Sequence, residues 1–420
     1  MNQKNALRAT VMAFALMVNA AWATDGYFPH GYGMKAKGMG GVSIAMTDQA
    51  FAGANNPAVA SFAGNRAELG VDLFMPNRGA SRINAGPMSG DVESGSKNFL
   101  IPEFGYNTPV SDSLAVGLTV YGNGGMNTNY PVRSPNFLGG AAPLGIDLMQ
   151  LTVAPTISYK VDDRHAVGVS PLLVYQRFKA SGLQGFVPMS GDPLHVTDQG
   201  YDSSTGMGVR LGYVGKPSDS LTIGASWSPR TSMKKFEKYA GLFAGGGGFD
   251  IPENMGIGFS IKASPTVTLA ADYQRINYSK VPSVGNPSNN NAPLGAGNGP
   301  GFGWSDINVL KLGIQWQLDS VWTLRAGYNH TENPVKSRDV TFNIIAPGVI
   351  AKHYTVGASY ALAQDRELTF AYMYAPTNTV SGVSMFDAPA PYGMGAGDGS
   401  IRESVRMSQQ SLGVQFGWKF

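Results

Sequence analysis

The stretch SLGVQFGWKF (residues 411–420) alternates strictly between two kinds of side chain. One row is apolar and consists of Leu412, Val414, Phe416, Trp418 and Phe420. The other row is small or polar and consists of Ser411, Gly413, Gln415, Gly417 and Lys419. Because successive side chains of a strand point to opposite faces, this pattern places two different environments on the two sides of one strand. The apolar side faces either a protein core, as in a soluble sandwich, or lipid, as in an outer-membrane barrel.

The same alternation recurs along the chain and predicts fourteen strands. Their length of about 9 to 15 residues is what a tilted membrane strand requires. The predicted strands are residues 66–77, 98–108, 113–122, 148–160, 164–177, 203–215, 220–229, 253–263, 266–278, 304–318, 321–331, 349–362, 366–379 and 405–420.

The connections between these strands alternate between short and long without exception. Short ones include VDDR (161–164) and KPSDS (216–220), whereas the long ones are rich in Gly, Pro, Asn and Ser, as in residues 281–303. This parity predicts an antiparallel transmembrane β-barrel with short periplasmic turns, long outside loops and both chain ends on the periplasmic side. Closure removes every edge strand and satisfies the backbone hydrogen bonds within lipid. We expect the aromatic Phe420 to lie in the interfacial girdle and to be recognised by the barrel assembly machinery.

The composition excludes several other classes of protein. The chain has 420 residues, 55 glycines, only 14% charged residues, no cysteine and a formal net charge of +3. A nucleic-acid partner, a disulfide framework and a thiolate metal site are therefore excluded. No cofactor-binding motif is present, the five histidines lack metal-binding spacing, and no G-x-S-x-G motif occurs, so we predict that the protein is not an enzyme. A membrane-barrel phospholipase, with a triad assembled from distant residues, is the enzymatic alternative.

The first residues have the pattern of a secretory signal peptide. Lys4 and Arg8 supply the positive region, residues 11–21 the apolar region, and Ala21-Trp22-Ala23 the small-x-small cleavage site. We predict a signal peptide at residues 1–23 and a mature chain that begins at Thr24. A buried N-terminal helix is the alternative.

Residues 24–64 do not alternate like a strand, although they precede the first one. A barrel of fourteen strands leaves a lumen that side chains alone do not fill, and this segment has the size and polarity to fold back into it. The alternative is a disordered periplasmic extension, although the spacing of Met39, Ile44 and Phe51 is unlike that of a disordered tail. The predicted organisation is a signal peptide (1–23), a hatch (24–64) and a fourteen-stranded barrel (65–420).

The segment MKAKGMGGVSIAMTDQAFAGANNPAVASF resembles the N-terminal hatch of the FadL-type transporters of long-chain fatty acids and hydrocarbons. The triplet Asn56-Pro57-Ala58, preceded by Asp48, matches their hatch motif, and the resemblance continues through residues 251–281, residues 322–335 and the closing GWKF. It implies a fourteen-stranded barrel plugged by a small hatch, and it assigns gating to Asn56, Pro57, Ala58 and Asp48.

In that family an inward kink of the third strand opens the barrel wall, so that apolar ligands leave sideways into the membrane. Gly122, Gly124 and Gly125 lie where the kink is expected, and glycine tolerates the backbone angles that a bulge requires. The alternative is that these glycines simply begin a loop.

The basic residues that hold a carboxylate in fatty-acid members align near Gly182 and Pro300, neither of which is basic. This departure favours a neutral hydrocarbon or aromatic substrate. Arg177 and Lys179 lie nearby, at the outer end of the fifth strand, where contact with lipid headgroups or lipopolysaccharide is expected.

Apolar residues in the long loops suggest a capture site for hydrophobic molecules. They are Phe137, Leu138, Leu144, Leu242 and Phe243, and they are expected where water would otherwise meet polar residues. The alternative is that they extend the lipid-facing wall.

The sequence thus predicts a monomeric, passive channel for hydrophobic compounds in the outer membrane of a Gram-negative bacterium. Its expected surroundings are outer-membrane lipid and lipopolysaccharide. A hydrophilic porin is the main rival function, and it is disfavoured by the low charge and by the plug-like segment.

Overall fold

Fourteen long antiparallel strands close into a barrel in the computed structural model, which describes residues 25–131, 136–387 and 397–420. The predicted signal peptide therefore lies outside the described residues. Each strand pairs with its neighbours in sequence, and the last strand pairs with the first from Arg66↔Lys419 to Ile83↔Arg402. The strands are β1 Arg66–Ile83, β2 Phe99–Pro109, β3 Leu114–Asn127, β4 Gly145–Lys160, β5 His165–Ser181, β6 Asp202–Gly215, β7 Leu221–Ser228, β8 Asn254–Lys262, β9 Val267–Ile276, β10 Ile307–Gln317, β11 Trp322–Thr331, β12 Lys352–Ala363, β13 Arg366–Val383 and β14 Arg402–Lys419.

The predicted strand number and the parity of the connections are confirmed, but several predicted boundaries are wrong. β1 continues to Ile83 and β3 to Asn127, so both strands extend farther toward the long loops than predicted. Two short strands were not predicted: Gly90–Glu93 pairs with β1, and Ser232–Met233 pairs with β6. Both lie in long connections, where Gly and Pro obscure the period of two.

The apolar rows face outward, which is the reverse of a soluble sandwich. Leu412 is 53% exposed, whereas Gln415 on the opposite row is 1% exposed. The apolar rows of β7, β9, β10 and β13 likewise have exposed members, among them Trp227, Leu269 and Phe370. Phe420 is exposed and stacks on Tyr106 with ring centroids 6.0 Å apart. The outer surface is therefore suited to lipid.

The helices are all short and lie in the segment before β1 and in the long loops. Among the described residues, no helix is long and apolar enough to cross a membrane. The α-helices are α1 Met34–Lys37, α2 Ala60–Ala63, α3 Ala244–Gly247, α4 Pro282–Gly285 and α5 Val340–Asn343. The 3-10 helices are Pro57–Val59, Gly86–Met88, Gln184–Met189, Pro193–His195, Glu237–Tyr239, Tyr278–Lys280 and Ser337–Asp339.

Residues 25–64, called the lumen segment below, are enclosed by the barrel, and nearly all of them are buried. Glycines on the inward rows of many strands let the segment approach the wall at backbone distance. These glycines are Gly105, Gly168, Gly212, Gly224, Gly313, Gly327 and Gly357. The position of the segment agrees with the predicted hatch, while its gating action and the domain boundary at residue 64 stay predictions.

Candidate functional site: the lumen segment and the wall at β3

The Asn56-Pro57-Ala58 triplet forms a short turn that is anchored inside the barrel. Asn56 caps the 3-10 helix Pro57–Val59, because its Oδ1 accepts a hydrogen bond from the backbone N–H of Ala58 at 3.1 Å. Its Nδ2 donates to the carbonyl of Ile44 at 2.8 Å and to the carbonyl of Tyr213 in β6 at 3.0 Å. One side chain therefore ties the turn both to the lumen segment and to the wall.

Two wall glycines bring this turn close to the barrel. At Gly212 in β6, an added methyl carbon would lie 2.8 Å from Pro57 Cδ, and at Gly168 in β5 it would overlap the backbone of Pro57. Ser158 in β4 donates from Oγ to the carbonyl of Ala58 at 3.1 Å. Side chains larger than hydrogen at the two glycines would push the turn away from the wall.

Asp48 contributes its backbone carbonyl to a charged cluster near the short-turn end of the barrel. Lys35 donates from Nζ to this carbonyl at 2.8 Å, and the guanidinium of Arg66 donates to it as well. The same Nζ lies 2.5 Å from Glu367 Oε1 and 3.4 Å from Glu68 Oε1. Of the four residues predicted to gate, Asp48 is thus placed away from the Asn56 turn, beside buried ion pairs.

Lys37 makes a second set of buried ion pairs. Its Nζ lies 3.0 Å from Asp72 Oδ2 in β1 and 3.2 Å from Glu103 Oε2 in β2. With Lys35, it gives α1 two cations that face carboxylates of the wall. These pairs were missed from the sequence, although two lysines in MKAK (34–37), within a small and apolar segment, were a signal for them.

The second half of β3, after Val120, does not pair with β2. The pairing of β3 with β2 runs only from Pro109↔Ala115 to Phe104↔Val120, so residues 99–103 of β2, as far as the chain is described, have no strand partner on that side. Residues 121–126 of β3 are all buried, whereas a strand in a barrel wall alternates between buried and exposed. This part of β3 is therefore bent toward the lumen.

Gly122, Gly124 and Gly125 lie within this bent part of β3 and do not begin a loop. The register with β4 shifts between Gly122 and Gly124, which marks a bulge. Gly125 donates its backbone N–H to the carbonyl of Tyr27 at 3.3 Å, and a methyl carbon added at Gly124 would lie 2.6 Å from the same oxygen. Tyr27 of the lumen segment thus covers the bend from inside.

The parts of β2 and β3 that do not pair with each other carry buried apolar side chains. Phe99 and Ile101 of β2 and Tyr121 and Met126 of β3 belong to one buried apolar cluster. Tyr32 of the lumen segment packs edge-on against Tyr121, with ring centroids 4.6 Å apart. Tyr32 therefore covers Tyr121 from the lumen side.

Aromatic rings in contact connect an outer loop with the bend. Phe243 and Phe249 have ring centroids 5.0 Å apart, and Phe249 lies 6.2 Å from Tyr27. Phe178 packs on Phe243 at 4.6 Å, and Trp304 lies 6.0 Å from Tyr27. We call Phe243, Phe249 and Tyr27 the aromatic path, because they lead from the loop before β8 to the glycines of β3.

The five residues predicted to capture ligand are buried, so the expectation that they face water is wrong. Phe137, Leu138, Leu144, Leu242 and Phe243 all belong to the apolar cluster beneath the loops. The loops cover one another, so burying these side chains between them removes their apolar area from water. Their part in capture stays a prediction.

The position of the basic residues in the lumen was not predicted. Gly182 and Pro300 are buried, and Arg210 of β6 is a basic residue with 4% of its surface exposed. Arg210 lines a cavity of about 40 Å³ between the lumen segment and β6–β10, together with Lys311 and Asp272. A polar cavity of this size holds a few water molecules.

Comparisons with known proteins agree with this architecture. The family model described as "Outer membrane protein transport protein (OMPP1/FadL/TodX)" matches residues 30–420. A search of curated proteins found no match.

Among solved structures, a FadL homologue from Pseudomonas aeruginosa is 16% identical with a TM-score of 0.70, over 94% of this chain and 100% of that one. The toluene transporter TodX of Pseudomonas putida is 18% identical with a TM-score of 0.67, over 93% and 99% of the two chains. The toluene transporter TbuX of Ralstonia pickettii is 18% identical with a TM-score of 0.63, over the same shares. These likenesses show a common fold. Since the family model spans nearly the whole sequence, the chain belongs to the outer membrane transport protein family OMPP1/FadL/TodX.

Proposed function

We propose that the protein is a passive channel for the uptake of hydrophobic compounds across the outer membrane of a Gram-negative bacterium. The observation that carries this proposal is that β3 stops pairing with β2 beyond Phe104↔Val120, where both strands carry buried apolar side chains. A hydrophilic porin needs an unbroken wall around an aqueous channel, whereas an apolar ligand gains from an opening that leads into lipid.

The ligand would enter between the outer loops and follow the aromatic path. An aromatic side chain buries about 150–250 Å². At about 25 cal/mol per Å², a ligand of similar size would gain roughly 4–6 kcal/mol on leaving water. The rings of Phe243 and Phe249 suit neutral aromatic ligands, and TodX, which is named a toluene transporter, shares this fold.

The lumen segment would act as the gate, with one fixed part and one moving part. The Asn56 turn is hydrogen-bonded to β4 and β6, packs closely on β5 at Gly168, and forms the fixed part. Tyr27 and Tyr32 fill the inner side of the bend and would move aside when a ligand arrives. No energy-coupling motif is evident in the sequence, so transport would follow a gradient maintained by metabolism in the cell.

The ligand would leave sideways between β2 and β3. Exit through the periplasmic mouth would carry an apolar molecule into water, against the hydrophobic effect, whereas lateral exit keeps it in an apolar environment. Gly122, Gly124 and Gly125 would permit the bend that makes this route.

The test is the variant Gly122→Val/Gly124→Val/Gly125→Val, which should lose uptake by cells while the purified barrel still folds and binds ligand. Gly297→Val is the matched control, because it lies in an outer loop with open space around it. Normal uptake by the folded triple variant would refute lateral exit. Conductance in planar bilayers separates this function from a porin, since a porin conducts ions in its resting state.

Two partners expected from the sequence also stay predictions. They are the barrel assembly machinery, through Phe420, and the lipopolysaccharide of the outer leaflet. The chain is expected to work as a monomer.

A further inference from the structure

Basic side chains surround Tyr201 on the outer surface of the barrel, at its long-loop end. The guanidinium carbon of Arg177 lies 4.8 Å from the centre of the Tyr201 ring, and Lys179 Nζ lies 5.0 Å from it. Lys238 donates from Nζ to the carbonyl of Tyr201 at 2.9 Å. Cation–π contact with one ring holds Arg177 and Lys179 close together.

Lys234 lies on the same surface. Its backbone N–H donates to the carbonyl of Thr205 at 2.9 Å, which continues the pairing of Ser232–Met233 with β6 by one residue. Met233 is buried and Lys234 is exposed, so Lys234 points outward, as Arg177 does. We call Arg177, Lys179, Lys234, Lys238 and Tyr201 the rim patch.

The rim patch carries more positive than negative charge. Two carboxylates accept hydrogen bonds from its residues: Asp147 from the Tyr201 hydroxyl at 2.6 Å, and Asp202 from the backbone N–H of Lys238 at 2.9 Å. Burial, followed by the hydrogen bond to Asp147, raises the pKa of Tyr201 to about 12, so the phenol stays neutral. In the described parts of the chain, Lys179, Lys234 and Lys238 form no ion pair with a carboxylate. An anionic ligand could therefore neutralise their positive charge.

The height of the rim patch along the barrel wall indicates which part of the membrane it meets. The outward row of β5 is apolar from Val167 through Leu173 to Tyr175, and it becomes basic at Arg177 and Lys179. The ten residue-to-residue steps from Val167 to Arg177 rise about 25 Å when a strand is tilted by about 40°, which equals the height of the apolar band of such barrels. The patch therefore lies just outside the hydrocarbon, at the level of the headgroups of the outer leaflet.

We propose that the rim patch binds the phosphate groups of lipid A, the membrane anchor of lipopolysaccharide. Phosphate oxygens match the fork of an arginine and the ammonium groups of lysines. The inference rests on the outer-membrane setting of the proposed function, and it gives the barrel a fixed lipid neighbour beside β4, β5 and β6.

Binding of lipid A to the purified full-length barrel in detergent, followed by native mass spectrometry, tests the proposal. The ligands are lipid A with two phosphates, the same lipid without phosphates, and inorganic phosphate as a competitor. The variant is Arg177→Gln/Lys179→Gln/Lys238→Gln. The control, Lys160→Gln/Lys216→Gln/Lys262→Gln, removes the same charge at the short-turn end of β4, after β6 and in β8.

The phosphorylated lipid should bind the variant on the order of 100-fold more weakly, because each cation near a charged lipid surface contributes severalfold to binding. The control should bind like the unchanged protein, and lipid A without phosphates should bind both about equally weakly. Unchanged binding by the variant, or equal loss in the control, would overturn the proposal. Displacement of the lipid by millimolar inorganic phosphate would assign the site to free phosphate instead.

If the triple variant does not assemble, the single exchanges Lys179→Gln and Lys238→Gln apply the same test, with an expected loss of about fivefold each. No transport substrate is present in this assay. A negative result would therefore leave the proposed uptake function standing, and loss of the uptake proposal would leave the lipid measurement valid.

Discussion

Replacement of Lys37 by methionine should loosen the lumen segment while leaving the barrel wall intact. Lys37 is 3% exposed, and its Nζ lies 3.0 Å from Asp72 Oδ2 and 3.2 Å from Glu103 Oε2. Methionine has a similar length and no charge, so both wall carboxylates would lose their buried partner. Removing one partner of a buried ion pair costs about 3–5 kcal/mol.

This cost destabilises the state in which the lumen segment is packed inside the barrel, here called seated, because Lys37 belongs to the segment and both carboxylates belong to the wall. Every 1.36 kcal/mol changes an equilibrium constant tenfold, so the ratio of displaced to seated segment should rise by about 10²- to 10⁴-fold. The wall keeps its strand-to-strand hydrogen bonds and should still form.

Single-channel conductance in planar bilayers measures the displacement, and limited proteolysis of the segment measures it independently. Lys37→Met should conduct small ions and expose the segment to protease. The compensated variant Lys37→Met/Asp72→Asn/Glu103→Gln should restore closure, since it leaves no unpaired charge. Heat-dependent migration in detergent gels verifies folding. A folded Lys37→Met barrel with the conductance and protease resistance of the unchanged protein would refute the reasoning.

Three further outcomes are expected. Deletion of residues 24–60 should turn the barrel into a leaky pore for small hydrophilic solutes, and conductance that stays at the full-length level would show that these residues are not a plug. Uptake of neutral apolar molecules should exceed that of long-chain carboxylates and depend only weakly on pH near the carboxyl pKa of about 4 to 5; a strong binding preference for oleate over a neutral hydrocarbon of matched length would contradict this. Ile257→Arg places a charge on an outward, 62% exposed position of β8 and should lower the free energy of unfolding in liposomes by about 2–4 kcal/mol, as measured by urea titration. No measurable loss would mean that this face is not in lipid.

Local sequence patterns were sufficient to predict the barrel wall. The strict alternation of residues 411–420 needs two environments on the two faces of one strand, and the alternation of short and long connections needs antiparallel neighbours. The structure confirms fourteen strands and directs the apolar rows outward. These features repeat every second residue or every strand, so no knowledge of distant contacts was needed to recognise them.

The contents of the lumen were only partly predictable from the sequence. The size and polarity of residues 24–64 indicated a segment that folds inward, and Gly122, Gly124 and Gly125 indicated an irregular third strand. The expected exposure of Phe243 was wrong, since the loops that bury it come from separate parts of the chain. The position of a residue within a loop does not determine whether another loop packs over its side chain.

The sequence by itself determined that this chain forms a closed barrel with a lipid-facing exterior, because alternation and turn length act between adjacent residues and adjacent strands. Only the tertiary structure decided that Lys37 meets Asp72 and Glu103, that Tyr27 covers the glycines of β3, and that cations from β5 and a later loop gather around Tyr201. Closure of the barrel sets these contacts, since it brings together side chains that are far apart in the chain and whose register is defined only after every strand has paired.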